Sequence, residues 1–164
     1  MILKKNCVCF LLIVILVVTF LGVTSCKTLY YGSVGRDTIL VFSDGKYQIL
    51  KSGNEKNLVM YDDQRKAIDL LQNVISYKVL NNKLYVISSE GYCVSDAVTG
   101  KSIIYITQNE AEYIKGYEYV NGKEIPISKK VSHNDVKYIS AFEEFSDEDS
   151  EILLGFNDEE NING

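Results

Sequence analysis

The chain has 164 residues, of which 17 are basic and 22 acidic, for a formal net charge of −5; 46% are apolar and 24% charged. This composition excludes a disordered or collagen-like chain and a basic nucleic-acid binder. The length suits one domain.

Charge divides the chain into three parts. Residues 1–25 hold Lys4 and Lys5 and no acid. Residues 26–140 carry 15 basic and 13 acidic residues, and residues 141–164 carry nine acids and no base. In the first part, Lys4 and Lys5 precede an uncharged apolar run over 7–23, which ends in Val23, Thr24 and Ser25. That is the tripartite layout of a secretory signal. A run of 17 residues at about 1.5 Å each reaches roughly 26 Å, short of a bilayer core of about 30 Å. An uncleaved anchor helix is therefore the weaker alternative.

The residue after the signal is Cys26. The run Gly22-Val23-Thr24-Ser25-Cys26 resembles the lipobox of bacterial lipoproteins. The resemblance implies cleavage before Cys26, a diacylglycerol on its thiol, and a membrane-anchored position outside the cytoplasm. The expected organisation is a signal over 1–25, a membrane-proximal linker over 26–36, a β-repeat domain over 37–156 and an acidic disordered tail over 157–164. Of the four cysteines, Cys7 and Cys9 leave with the signal and Cys26 is lipidated, so Cys93 alone remains and no disulfide forms. Its strand-like setting, Gly91-Tyr92-Cys93-Val94, predicts a buried and inert thiol.

The mature chain repeats. Asp44-Gly45-Lys46, Asn81-Asn82-Lys83 and Asn121-Gly122-Lys123 each sit between apolar runs. Asx-Gly and Asx-Asx pairs tolerate positive φ, so each predicts a hairpin with a two-residue turn. The offsets Lys46 to Lys83, Asp62 to Asp96, Lys66 to Lys101 and Gln72 to Gln108 are 37, 34, 35 and 36. Each unit divides into four strand-like runs: 38–42, 47–51, 57–61 and 67–71; then 76–80, 84–88, 92–96 and 102–107; then 117–120, 124–128, 136–142 and 151–156. The third unit is lengthened by an acidic insert over 143–150. Residues 64–73 also fit helical spacing through Ala67, Leu70, Leu71 and Val74. The equivalent 102–107 is rich in Ile and Tyr, so a strand is expected at 67–71. Pro126, the one proline, marks an edge strand or a bulge.

Four short strands per unit of about 40 residues is the blade pattern of a β-propeller. Leu84-Tyr85-Val86, followed by Asp96-Ala97-Val98-Thr99-Gly100-Lys101, resembles the blades of quinoprotein-type propellers. Those have a Leu-Tyr-Val strand and an Asp-x-x-Thr-Gly-Lys turn before the last strand. The resemblance implies an all-β fold after an N-terminal signal or anchor helix, with about three four-stranded antiparallel units in an open or incomplete propeller. A second copy is one way to complete a ring, which makes a homo-oligomer one expected assembly. The chain has no tryptophan, which leaves quinone binding unsupported; no cofactor is expected.

No zinc spacing, phosphate loop or nucleophile elbow is present. His133, the single histidine, lies in a polar loop and reads as solvated. A calcium loop over Asp147-Glu148-Asp149 fails, because Ile152 stands where the sixth position requires glycine. Tyrosine is abundant, at twelve. Tyr30 and Tyr31 are expected near the lipid headgroups. Tyr113, Tyr117 and Tyr119 read first as sheet packing, with a binding patch as the functional alternative; Asp147, Glu148 and Asp149 read first as a solvated acidic stretch, with an acidic face for a basic protein partner as the alternative. The expected function is a lipid-anchored interaction or ligand-binding module without catalysis. Propeller-like lipoproteins of envelope assembly are the nearest analogy. A surface hydrolase using paired carboxylates and an immunity or inhibitor lipoprotein are the alternatives.

Overall fold

Turn chemistry and strand alternation build two similar sheets. In the computed structural model, which describes Gly32 and residues 34–159, β1 (Thr38–Phe42), β2 (Tyr47–Ser52), β3 (Glu55–Tyr61) and β4 (Ala67–Leu71) form an antiparallel meander. A second meander follows: β5 (Val74–Leu80), β6 (Lys83–Ser88), β7 (Gly91–Asp96) and β8 (Ser102–Ile106). Next, β9 (Ile114–Val120) and β10 (Lys123–Ser128) form a separate two-stranded ribbon. Last, β11 (Val136–Ile139) joins the second sheet parallel to β8, giving the order β11-β8-β7-β6-β5. The described residues are thus mostly β, with one α-helix, α1 (Asp147–Glu159).

Two of the three expected turns have two residues. Leu80 pairs with Lys83 across Asn81 (φ 50°) and Asn82 (φ 61°). Val120 pairs with Lys123 across Asn121 (φ 53°) and Gly122 (φ 77°). Positive φ at both central residues is what a type I′ turn needs. The first turn differs. Phe42 pairs with Tyr47, so the loop is four residues long, with Ser43 as well as Asp44 and Gly45 at positive φ. Lys46 N–H donates to the Ser43 carbonyl at 2.9 Å, placing a tight turn inside a longer loop.

The repeat extends to individual hydrogen bonds. The Asp96 carboxylate accepts the N–H groups of Val98 and Thr99, and Asp96 N–H donates to the Lys101 carbonyl at 2.9 Å. Thirty-four residues earlier, the Asp62 carboxylate accepts the N–H groups of Gln64 and Lys66, and Asp62 N–H donates to the Lys66 carbonyl at 3.1 Å. Residues 67–71 form a strand, as the repeat predicts. Arg65 (φ 63°) and Asn73 (φ 53°) leave the right-handed helical region at either end.

The third unit departs from expectation. Residues 117–120 and 124–128 lie in the β9–β10 ribbon, which takes no further strand among the described residues, and β11 belongs to the second sheet. Residues 151–156 are helical rather than extended. The segment 143–150 is not an irregular insert: it holds the end of a 3₁₀ turn (Phe142–Glu144) and the first turn of α1. Three acids in that first turn oppose the positive end of the helix dipole. The Ser146 hydroxyl accepts Asp149 N–H, so Ser146-x-x-Asp149 caps the start. The helix runs to Glu159, three residues into the segment expected to be disordered; residues 160–164 lie outside the described ones. Pro126 sits in the two-stranded ribbon, beside a register shift at Ile127 and Ser128, as an edge or bulge requires.

The core has two layers of contact. Tyr47, Ile49, Leu58, Met60 and Leu70 of the first sheet meet Leu84, Val86, Cys93 and Ile104 of the second. On the far side of the second sheet, Tyr85, Ile87, Val94 and Ile139 meet Phe145, Leu153 and Phe156. Strand β6 is therefore buried on both faces, which explains its unbroken run Leu84-Tyr85-Val86-Ile87. The alternating residues 84 and 86 face the first sheet, while 85 and 87 face the helix.

Candidate functional site

The β9–β10 ribbon is the most exposed element of the described chain. Direct pairing puts Tyr117 opposite Pro126 and Tyr119 opposite Glu124, so both tyrosines share one face. Glu118 opposite Ile125, Gly116 opposite Ile127 and Val120 opposite Lys123 make the other. Tyr117 is 59% exposed and Tyr119 72%; Val120, Ile125 and Ile127 are exposed as well. The Tyr119 hydroxyl donates to the Glu124 carboxylate, which raises the tyrosine's pKa. A two-stranded ribbon alone is marginal in water, and this one leaves large side chains exposed on both of its faces.

The root of the ribbon is tied to the body by several contacts. Lys129 N–H donates to the Tyr113 carbonyl at 3.1 Å. The Tyr113 side chain is buried, and burial raises its pKa. Lys129 Nζ lies 5.3 Å from that ring and 3.5 Å from Glu90 Oε1. Glu90, itself only 4% exposed, accepts Gln72 N–H at 2.8 Å on its other oxygen. Nearby, Lys130 pairs with Glu110, and Val131 N–H donates to the Tyr138 hydroxyl at 3.0 Å. Tyr113 thus anchors the ribbon, and the expected three-tyrosine patch reduces to Tyr117 and Tyr119. Sequence reasoning missed Glu90 and Lys129, two isolated charges that no spacing singles out.

The acidic triplet also divides. Asp147 and Glu148 are exposed at the start of α1. Asp149 is only 5% exposed and turned inward. Its carboxylate accepts Lys83 Nζ at 2.8 Å, the Tyr85 hydroxyl at 2.8 Å and the Ser146 hydroxyl at 2.7 Å. Burial alone would raise its pKa, but the bonds from Lys83, Ser146 and Tyr85 outweigh burial and hold the carboxyl below its usual range. Asp149 is a structural clamp and leaves the expected partner-facing set.

A second polar cleft, about 350 Å³, runs between Asp96, Lys101, Asp135 and Asp149. Asp135 accepts Lys46 Nζ at 2.8 Å, and that bond holds its pKa below the usual range. His133 Nδ1 accepts Asp135 N–H at 3.1 Å. Carboxylate hydrolysis requires one group that keeps its proton near neutral pH. Asp135 and Asp149 are both pushed the other way. Cys93 is fully buried, and burial pushes its thiol up to about 12, so it holds no thiolate for attack. Among the described residues no group of three or more His, Cys, Asp or Glu side chains could hold a metal ion.

Cys26, Tyr30 and Tyr31 lie outside the described residues. Among those described, no helix is long and apolar enough to cross a membrane. No family model matches the chain, and no curated protein or solved structure matches it either.

Proposed function

We propose that the chain is a lipid-anchored, extracytoplasmic interaction module that meets a protein partner through the β9–β10 ribbon. The observation that carries this reading is the ribbon itself: Tyr117 and Tyr119 stand exposed on a pair of strands that no third strand joins among the described residues. Tyrosine supplies large contact area at low entropy cost, and a contact on either side would give the ribbon the neighbour it lacks. The acids at Asp147 and Glu148 give a basic partner a second, electrostatic contact.

The anchor belongs to the same proposal. The basic, apolar and small segments before Cys26 support export and lipidation there. The two meanders are read as adjacent blades of an open, propeller-like array, supported by the matching Asp62 and Asp96 turns. In this reading α1 takes the place of the next blade, since an array needs a cap on its last exposed face.

A photo-crosslinking amino acid at position 119, compared with one at the exposed Val98, tests the docking. The expected result is a crosslinked partner at 119 only, lost in a Tyr117→Ser background. Equal crosslinking at both positions, or none at either, overturns the ribbon as the contact. Cys26→Ala is expected to leave the precursor uncleaved and unlabelled by lipid precursors. Normal processing and labelling of that variant would overturn the anchor.

A further inference from the structure

We propose that the free edge of β4 accepts an extended acidic peptide as an added strand. This site is separate from the exposed faces of the ribbon and goes beyond the docking proposed there.

The backbone comes first. Among the described residues β4 is the outermost strand of the first sheet, whose order is β1-β2-β3-β4. Asp62 N–H bonds the Lys66 carbonyl, and the register continues Tyr61 with Ala67, Met60 with Ile68 and Val59 with Asp69. In an antiparallel ladder the bonded and non-bonded pairs alternate. Lys66 and Ile68 therefore bond inward to β3, while Ala67 and Asp69 turn their N–H and C=O groups outward. Both residues are exposed. Such a row of peptide groups is a template for another strand.

The space comes next. A groove of about 370 Å³ runs along this edge. Consecutive residues 66–70 form one wall, and Tyr113, Lys115, Lys129 and Val131 at the ribbon root form the other. Natural edges are protected by a proline, a bulge or a cover. β4 has no proline, and its only bulge lies toward Leu71. The ribbon root stands beside the edge without filling the groove.

Charge selects the occupant. Three lysines line the groove. Lys129 is engaged by Glu90. Lys66 and Lys115 have no ion pair among the described residues, and Asp69 is the only other acid in the lining. The surplus is positive. An arriving strand whose acidic side chains lie on the face shared by Lys66 and Ile68 gains from Lys66 and Lys115, while its alternate side chains fall on the face of Ala67 and Asp69. A second copy would instead bring another lysine-lined groove to the same place, and like charges oppose that.

The test uses the full-length chain in a neutral detergent and three labelled hexapeptides. One alternates valine and glutamate, one alternates valine and lysine, and one is the glutamate peptide N-methylated at alternate residues. Binding is read by fluorescence anisotropy, and pairing by amide exchange at Ala67 and Asp69. The glutamate peptide is expected to bind and to slow exchange at both amides. The lysine and N-methylated peptides are expected to bind roughly tenfold more weakly or worse. The double variant Lys66→Glu/Lys115→Glu, whose side chains are exposed and whose circular dichroism is expected to match wild type, is expected to reverse the preference. The proposal is overturned by absence of binding, by equal binding of the lysine or N-methylated peptide, or by binding without protection at Ala67 and Asp69. Protection that rises with protein concentration alone would assign the edge to a second copy and equally overturn it.

Discussion

Replacing Asp149 by alanine is the sharpest test of how the helix is held. The carboxylate accepts bonds from Lys83 at 2.8 Å, Tyr85 at 2.8 Å and Ser146 at 2.7 Å. Its removal strands the Tyr85 hydroxyl, whose side chain is fully buried; an unsatisfied buried polar group costs about 1–3 kcal/mol. It also strands Lys83, which is 26% exposed and partly rescued by water. A lost charged hydrogen bond adds about 1.5–3 kcal/mol. The sum, about 2.5–6 kcal/mol, brackets the usual cost of breaking a buried pair. At roughly 3 °C per kcal/mol for a chain of this size, Tm falls by about 8–18 °C. The chain has no tryptophan, so unfolding is followed by far-ultraviolet circular dichroism. The pH dependence supplies a second reading. The folded pKa of Asp149 is depressed. Its stabilisation is therefore complete above the unfolded value of about 3.9 and disappears as pH falls through the folded value. Wild type and Asp149→Asn should differ at neutral pH and begin to converge below about pH 4, as pH falls toward the depressed folded value. A variant within about 2 °C of wild type, or a difference that persists unchanged into strong acid, would refute the clamp.

Three further outcomes follow from the packing. Leu153→Ala opens a cavity under α1 at a side chain with no exposure and should cost about 2–5 kcal/mol, read as a shift in urea midpoint at constant slope. Gly91→Ala puts a Cβ 2.0 Å from the Tyr105 carbonyl oxygen, so β7 and β8 must part; the expected cost is about 3 kcal/mol or more, with Gly53→Ala, which meets no neighbour, as the strain-only control. The Cys93 peptide should resist alkylation until denaturant is added, and labelling in native buffer at the rate of a free thiol would show that strands β7 and β8 do not pack as described.

What could be read from the residues depended on how local its cause was. Asn81-Asn82 and Asn121-Gly122 carry their turn type in their own backbone preferences, and the ladder on either side follows. The strand at 67–71 was legible because its counterpart at 102–107 was unambiguous. The helix was not, for a physical reason: six residues, 151–156, hold too few apolar positions to separate the two periods. The deciding signal was Ser146-x-x-Asp149, a cap that also resembled a stretch of solvated acid. The parallel pairing of β11 with β8 is set by contacts far apart in the chain, and no local pattern announces it. Tyr113 and Tyr117 look alike in sequence. One is buried because Glu90 and Lys129 close over the ribbon root, and neither charge is a neighbour in sequence.

The meeting of Lys129 N–H with the Tyr113 carbonyl brings the two stems of the ribbon within hydrogen-bonding distance of each other. Everything between them leaves the body and returns to nearly the same point. Residues 114–128 are therefore a cassette. A short loop is expected to replace them without disturbing the ladder from β8 to β11, and a ribbon of different length or composition to fit the same two stems. Selection can then rewrite the tip while the interior, with its double-faced β6, stays untouched.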